Sequence, residues 1–145
     1  MLMIKNERNR IQQTHLDELW KIRFVPNFPM IRHLLIFGSY AIGKPTALSD
    51  LDLAYITTKE LSLDQELELI CYFNRTLHTD EIDLVSFNKA PLPLQYKILC
   101  EGKIVFSENP IEIADIKERV FPLYFDFSFY QLEYRRAIKQ RFQGA

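Results

Sequence analysis

Two short motifs in the first half of the chain combine residue types that can handle phosphate groups and metal ions. Gly38 and Ser39 directly follow the apolar run 34–37, and Asp50 and Asp52 come after a gap of ten residues. A glycine at the end of a strand lets a polyphosphate approach the backbone closely. A serine at the start of a helix can hold phosphate oxygens with its hydroxyl and nearby N–H groups. The spacing therefore predicts a phosphate-binding turn beside a pair of carboxylates.

The one-residue separation of Asp50 and Asp52 indicates a metal site. Side chains two positions apart in a strand point to the same face, and adjacent carboxylates repel each other unless a cation lies between them. Ligands that are all oxygen atoms favour Mg²⁺ or Mn²⁺ over zinc. Leu51 and Leu53 would point to the opposite face, where they anchor the strand in the core.

A third carboxylate is expected from Asp83, which abuts the apolar end of the run 81–85, with Glu81 as the alternative on the same face. Three acids around two metal ions about 3.5–4 Å apart would activate an acceptor oxygen and hold a triphosphate. The predicted reaction is in-line attack on the α-phosphorus, with pyrophosphate leaving. A lone D-x-D or Gly-Ser pair usually marks a turn or a solvated surface, and it is the joint pattern that favours a catalytic site.

The elements that must position these residues form a mixed α/β (α+β) pattern. We predict one domain over 1–145, with a mixed sheet flanked by helices in a core over about 30–108 and a helical segment over about 110–143. The loop 39–50 would contain at most a turn or two of helix. The two strands that it connects could form a hairpin or a crossover. Apolar periodicity and turn residues predict helices over 10–24, 63–77, 91–102 and 111–142 (broken or kinked at Pro122), and strands over 34–37, 51–57, 81–87 and 103–106.

The composition suits a soluble globular domain: hydrophobic residues make up 48% and charged residues 26% of 145 residues. A formal net charge of −1 disfavours nucleic acid as the main partner. Cys71 and Cys100 lie in apolar stretches and are interpreted as reduced core thiols. No run approaches the roughly 20 apolar residues of a membrane helix, and the N-terminus turns polar at once, so we expect no signal peptide, no membrane contact and a cytoplasmic protein.

Residues 34–56, LLIFGSYAIGKPTALSDLDLAYI, resemble the signature of the minimal nucleotidyltransferase family within the polymerase-beta-like superfamily. Residues 82–106, IDLVSFNKAPLPLQYKILCEGKIVF, resemble the strand that carries the family's third aspartate and the helix and strand that follow. This second segment is most similar to the MntA antitoxins of HEPN/MNT toxin–antitoxin pairs. The resemblance covers about residues 30–108.

The resemblance implies a nucleotidyltransferase-like fold, ATP as substrate and Mg²⁺ or Mn²⁺ as cofactor. The implied function is transfer of AMP to a tyrosine of a partner HEPN ribonuclease, which neutralises that toxin. Many relatives carry a basic residue where this chain has Ile42, and Lys44 could serve the phosphates instead. The implied nucleotide-binding residues are Gly38, Ser39 and Lys44, and the implied catalytic and metal-binding residues are Asp50, Asp52 and Asp83.

Two other functions remain open at this point. One keeps the chemistry but uses a small acceptor such as an aminoglycoside, although the ~40 residues after the last strand are too few for a typical additional domain. The other is a non-catalytic antitoxin that inhibits its toxin by binding. Seven aromatic residues within 121–134 are consistent with either a helix packed on the sheet or a partner-binding surface. The three histidines lack metal-ligand spacing and are interpreted as structural or surface residues.

Overall fold

The computed structural model describes residues 11–143. Two predictions fall outside this range: the start of the first helix at residue 10, and the absence of a signal peptide, which was inferred from the polar N-terminal residues. In chain order the elements are α1 (Gln13–Trp20), β1 (Ile31–Phe37), β2 (Leu51–Thr57), α2 (Leu63–Leu77), β3 (Ile82–Ser86), α3 (Leu92–Glu101), β4 (Lys103–Ser107) and α4 (Pro110–Gln143).

The four strands form one mixed sheet in the order β3-β2-β1-β4. β1 pairs antiparallel with both β2 and β4, whereas β2 and β3 run parallel. The connection 38–50 is therefore that of a hairpin, which settles the alternative left open by the sequence. In this register Asp52 lies opposite Phe37 on one side and opposite Asp83 on the other. The predicted mixed sheet flanked by helices is confirmed.

The sheet is buried on both faces, as the near-continuous apolar sequences of β1 and β2 require. On one face, side chains of β1 and β2 pack with α1 and α2, and Leu51 and Leu53 are fully buried as predicted. On the other face, α3 and the first half of α4 cover the sheet through Ile98, Ile113 and Val120. The face covered by α3 is also the face that carries Asp52, since Asp52 alternates with the buried Leu51 and Leu53.

α2 begins as predicted but buries a different stripe. Ser62 caps the helix in a reciprocal capping box with Gln65. The apolar spacing of the sequence predicts one helical face made of Leu67, Ile70, Cys71 and Leu77. Of these four residues only Leu77 is buried, and the other three are exposed. The buried residues are instead those spaced four apart: Leu69, Phe73 and Leu77. Cys100 is exposed as well, so neither cysteine is a core thiol.

α4 is one helix of 34 residues, and the predicted break at Pro122 does not occur. A proline inside a helix removes the hydrogen bond to the carbonyl four residues earlier. Here Pro122 and Glu118 are both exposed, so water can solvate the released carbonyl. Among the described residues, no helix has the length and apolar character needed to span a membrane.

The aromatic run in α4 is partly packed against α3 and partly exposed. Tyr124 stacks on Tyr96 of α3, with ring centroids 3.8 Å apart, and Phe121 contacts the same ring edge-on. From Leu123 onward, other large apolar side chains of the helix are exposed, although Phe125 also contacts the ring of Tyr96 edge-on. The exposed side chains are those of Leu123, Phe125, Phe129, Tyr130, Leu132, Tyr134, Ile138 and Phe142.

The first residues of β1 join the sheet to α4 through a buried polar network. His33 is 1% exposed; its Nδ1 lies 2.8 Å from Oγ of Ser107 and its Nε2 lies 3.0 Å from Oε2 of Glu112. Arg32 pairs with Glu112 and with Glu108. His33 is therefore the structural residue that the sequence indicated, and it is a core residue rather than a surface one.

Candidate active site

Gly38 ends β1 in the left-handed region, with φ of +72°. A Cβ atom at this position would lie 2.1 Å from Oδ2 of Asp52, so the backbone of Gly38 packs directly against that carboxylate. The sequence predicted a glycine here to admit a phosphate. The structure adds a second reason, because the space beside its Cα is already taken by the side chain of Asp52.

No helix begins at Ser39 in the described chain, contrary to one prediction. Residues 39–43 form turns because the carbonyl of Gly38 accepts hydrogen bonds from the N–H groups of Ala41 and Ile42, at 3.0 and 3.2 Å. The N–H of Lys44 donates to the carbonyl of Ser39 at 2.9 Å. The turn thus folds back on itself and keeps Lys44 next to Ser39, while Ile42 is 50% exposed.

Asp52 and Asp83 face each other across the parallel pair of β2 and β3. Asp52 is partly buried and Asp83 is exposed on the edge strand. Burial raises the pKa of Asp52 from its ordinary value of 3.8 to about 6, and the charge of Asp83 acts in the same direction. A partly buried carboxylate that resists ionisation, with a second carboxylate beside it, is an arrangement that a cation would stabilise.

Asp50 precedes β2 and is exposed. Its charge contributes to the raised pKa of Asp52, so the two side chains are close. Glu81, the alternative third acid, hydrogen-bonds to Asp50, and this bond raises the pKa of Glu81. The structure therefore brings Asp83 to Asp52 and Glu81 to Asp50.

The acidic residues by themselves do not form a complete set of metal ligands. Among residues 11–143, no group of three or more histidine, cysteine, aspartate or glutamate side chains is placed so that it could hold a metal ion by itself. Mg²⁺ is usually bound by one or two carboxylates together with waters and substrate phosphates. The all-oxygen donors and the unfavourable ionisation of Asp52 fit such an ion. Asp50, Asp52 and Asp83 remain predicted ligands.

Two residues of α3 reach this site that the sequence analysis did not identify. Glu101 accepts a hydrogen bond from the N–H of Gly38 at 3.2 Å, and its charge adds to the raised pKa of Asp52. Lys97, one helical turn earlier, lowers the pKa of Asp52 and is the cation that acts on this carboxylate. Their i, i+4 spacing was a usable signal for a shared helix face, but only the docking of α3 shows where that face points.

Taken together, the site combines a glycine turn that fixes one carboxylate, a second carboxylate on the neighbouring strand and a lysine from a helix above them. Such a site can hold a triphosphate next to acidic groups that take up a proton from an acceptor. That arrangement is typical of phosphoryl and nucleotidyl transfer.

Comparisons with known proteins point the same way. The sequence profile of the family "Polymerase beta, Nucleotidyltransferase" matches residues 22–111. A comparison with curated protein sequences finds no match.

Several solved structures share the fold. A toxin–antitoxin crystal structure with AMP-PNP superimposes with a TM-score of 0.69 at 19% identity, covering 89% of this chain and 99% of that chain. A tri-AMPylated Shewanella oneidensis HEPN toxin in complex with an MNT antitoxin gives a TM-score of 0.67 at 19% identity, with 89% and 99% covered. A mutant MntA–HpeT complex gives 0.68 at 19% identity, with 90% and 99% covered. At these identities the likeness shows the fold, which is the one predicted.

Proposed function

This chain belongs to the polymerase beta nucleotidyltransferase family, and we propose that it transfers AMP from ATP to a tyrosine of a partner HEPN-type toxin and thereby neutralises that toxin. The observation that carries the proposal is the register of β2 and β3. It sets Asp52 against Asp83 at the point where Gly38 packs on the Asp52 carboxylate.

In the proposed reaction, the phenolic oxygen of the acceptor tyrosine attacks the α-phosphorus of ATP. The bond between the α-phosphorus and the bridging oxygen breaks, and pyrophosphate leaves. The phenolic proton passes to a carboxylate of the site, for which Asp83 is our candidate because it is exposed on the edge strand. Mg²⁺ bound by Asp50, Asp52 and Asp83 would stabilise negative charge on the phosphates.

The remaining residues position the nucleotide. The turn at Gly38 and Ser39 would receive the phosphates through backbone N–H groups and the serine hydroxyl, and Lys44 would contribute a positive charge from the same turn. Lys97 stands on the α3 side of Asp52, where a second positive charge can approach a phosphate. Glu101 holds the N–H of Gly38 and so keeps the turn in place beside Asp52.

The proposed acceptor class is supported by the solved structures that share this fold. The similar structures are toxin–antitoxin complexes; one contains AMP-PNP and another a HEPN toxin that is tri-AMPylated. We propose the same acceptor class for this chain.

The test is transfer of label from α-labelled ATP, in the presence of Mg²⁺, to a HEPN-type protein that is co-expressed with this chain and forms a complex with it. Label that appears on the partner and vanishes with the Asp50→Ala, Asp52→Ala double variant would support the proposal. Absence of label with each of the four nucleoside triphosphates, from folded protein in a stable complex, would refute it.

A second function, inhibition by binding alone, is favoured by the apolar side chains exposed along the second half of α4. The double variant separates the two functions in cells. If it neutralises the partner as well as the unaltered chain does at equal protein level, then catalysis is not the mechanism.

A further inference from the structure

β3 lies at the end of the sheet, and its hydrogen bonds to β2 define which way each residue points. The carbonyl of Glu81 accepts from the N–H of Leu51 at 2.9 Å, and the N–H of Phe87 donates to the carbonyl of Tyr55 at 3.0 Å. In a parallel pair, alternate residues direct both backbone groups towards the neighbouring strand. The odd-numbered residues from 81 to 87 therefore pair with β2.

The even-numbered residues Ile82, Leu84 and Ser86 direct their N–H and carbonyl groups away from β2. On that side, no strand of the described residues 11–143 pairs with β3. A row of strand donors and acceptors at a free sheet edge is a template for one more strand. Asp83, on the same strand, is exposed at this edge.

The free edge opens onto a cleft of about 360 Å³ between α2 and the start of α3. It begins at Leu84, directly after Asp83, and runs past Ser86. Its apolar walls come from both sides of the strand: Ile70, Leu84, Val85, Ala90, Pro91 and Leu94.

The polar side chains of the cleft already bind one another. Lys89 Nζ lies 2.6 Å from Oε1 of Glu66 and 3.3 Å from the carbonyl of Leu61. The hydroxyl of the buried Tyr55 is shared with Ser86 and Glu66. What the cleft offers a ligand is therefore apolar surface and strand backbone. This combination matches an extended peptide better than a charged small molecule.

We propose that the free edge of β3 binds an extended segment of the acceptor protein as an added fifth strand, and that this places the acceptor tyrosine beside Asp83. The main-chain hydrogen bonds to Leu84 and Ser86 hold the segment, and the cleft receives its alternate side chains. This inference rests on the proposed function, because it explains how an acceptor side chain reaches the acidic site. It also predicts that recognition depends on backbone groups of the enzyme rather than on a charged pocket.

The first test compares Ser86→Pro with Ser86→Ala. Both variants lose the hydroxyl, but only proline removes the outward N–H, and an edge strand tolerates proline where its N–H faces outward. We expect labelling of the partner by Ser86→Pro to be on the order of tenfold below that by Ser86→Ala, the effect of a lost hydrogen bond with its unpaired partner. Equal labelling by the two variants, with an active unaltered chain, would overturn strand addition and leave the proposed function standing. An unaltered chain that labels nothing would refute the proposed function instead.

The second test does not depend on a variant that folds. Amide hydrogen exchange, resolved by residue, should show Asp83 and Val85 protected in the isolated chain and Leu84 and Ser86 exchanging rapidly. In the complex with the partner, Leu84 and Ser86 should slow by at least about tenfold. Unchanged exchange in the complex would overturn the proposal. Protection of Leu84 and Ser86 in the isolated chain would also overturn it, since the edge would then be covered by the chain itself.

Discussion

The two ends of β1 differ in how their charges are compensated. At the start of the strand, His33 and Arg32 both bind Glu112 and so tie the sheet to α4. At its end, Gly38 packs against Asp52, whose pKa is raised by burial and by neighbouring acids. At the start of the strand, the charges are paired by other groups of the same chain. The other end leaves carboxylates in repulsion, which a ligand carrying positive charge would relieve.

The contrast shows that polar residues near the two ends of one strand can have opposite effects on stability. Hydrogen-bonded and paired charges hold elements together, whereas clustered like charges destabilise the empty protein and stabilise a bound cation. The comparison can be tested by altering each end separately, and the following expectations run from the largest effect to the smallest.

Asp52→Asn should reduce transfer of label to the partner by roughly a thousandfold or more, because metal-bound carboxylates supply several kcal/mol of transition-state stabilisation. The same variant should melt at a higher temperature than the unaltered chain at pH 8 without Mg²⁺, since it removes a disfavoured charge. Calorimetry and the transfer assay measure the two effects. Asp126→Asn, an exposed acid in α4, is the control and should change neither. A lower melting temperature for Asp52→Asn would contradict the description of this end as repulsive.

Gly38→Ala should lower transfer by about a hundredfold, the effect of displacing a reacting group by about 1 Å. The added Cβ would displace the carboxylate of Asp52. Gly43→Ala is a matched control, because Gly43 has the same φ of +72° but a Cβ added there would meet nothing within 4 Å. Both variants carry backbone strain, but only the methyl group added by Gly38→Ala would contact the carboxylate of Asp52. Equal losses in the two variants would show that strain of the turn, rather than contact with Asp52, is what matters.

His33→Ala should lower the free energy of unfolding by about 2–3 kcal/mol, because a buried ring is lost and two hydrogen-bonding groups lose their partner. A fall in melting temperature of roughly 5–10 °C would follow. Transfer per folded molecule should stay within about twofold at 20 °C, since His33 lies at the far end of β1 from Gly38. A loss comparable with that of Gly38→Ala would mean that the two ends are coupled.

The two ends should also respond to pH in opposite directions. Burial lowers the pKa of His33 below 6.5, so the folded chain resists protonation and its stability falls as the pH drops below 6.5. The raised pKa of Asp52 acts the other way, and its contribution is lost as the pH rises from 3.8 through about 6. Melting temperatures measured without Mg²⁺ should therefore rise more steeply between about pH 4 and 6 in Asp52→Asn than in the unaltered chain. Parallel curves would show that Asp52 titrates normally.

Local patterns in the sequence were sufficient for the order of the elements and for some of their ends, whereas β1 begins at Ile31 rather than at residue 34 and α1 ends at Trp20 rather than at residue 24. The strand from Leu51 to Thr57 and the end of α3 at Gly102 each depend on a few neighbouring residues, and the structure confirms them. The sequence predicted that Asp52 and Asp83 belong to one group of acids, because both lie among the apolar residues of a strand. Their roles in binding metal and nucleotide stay predictions.

What the sequence could not predict depends on how elements dock. α2 carries two apolar stripes, and its packing on the sheet selects the one through Leu69 and Phe73 rather than the one through Ile70. Lys97 and Glu101 join the site only because α3 lies over β1. The strand order, which places β3 at an edge, is likewise a property of the whole sheet.

The second half of α4 has a practical consequence for the isolated chain. At 1.5 Å per residue the helix is about 51 Å long, and its exposed apolar side chains include Phe129, Tyr130 and Phe142. Apolar groups that remain in water limit the concentration at which a protein stays dispersed. Light scattering over a dilution series should accordingly precede any kinetic work, so that rates are compared at concentrations where the chain is a single species.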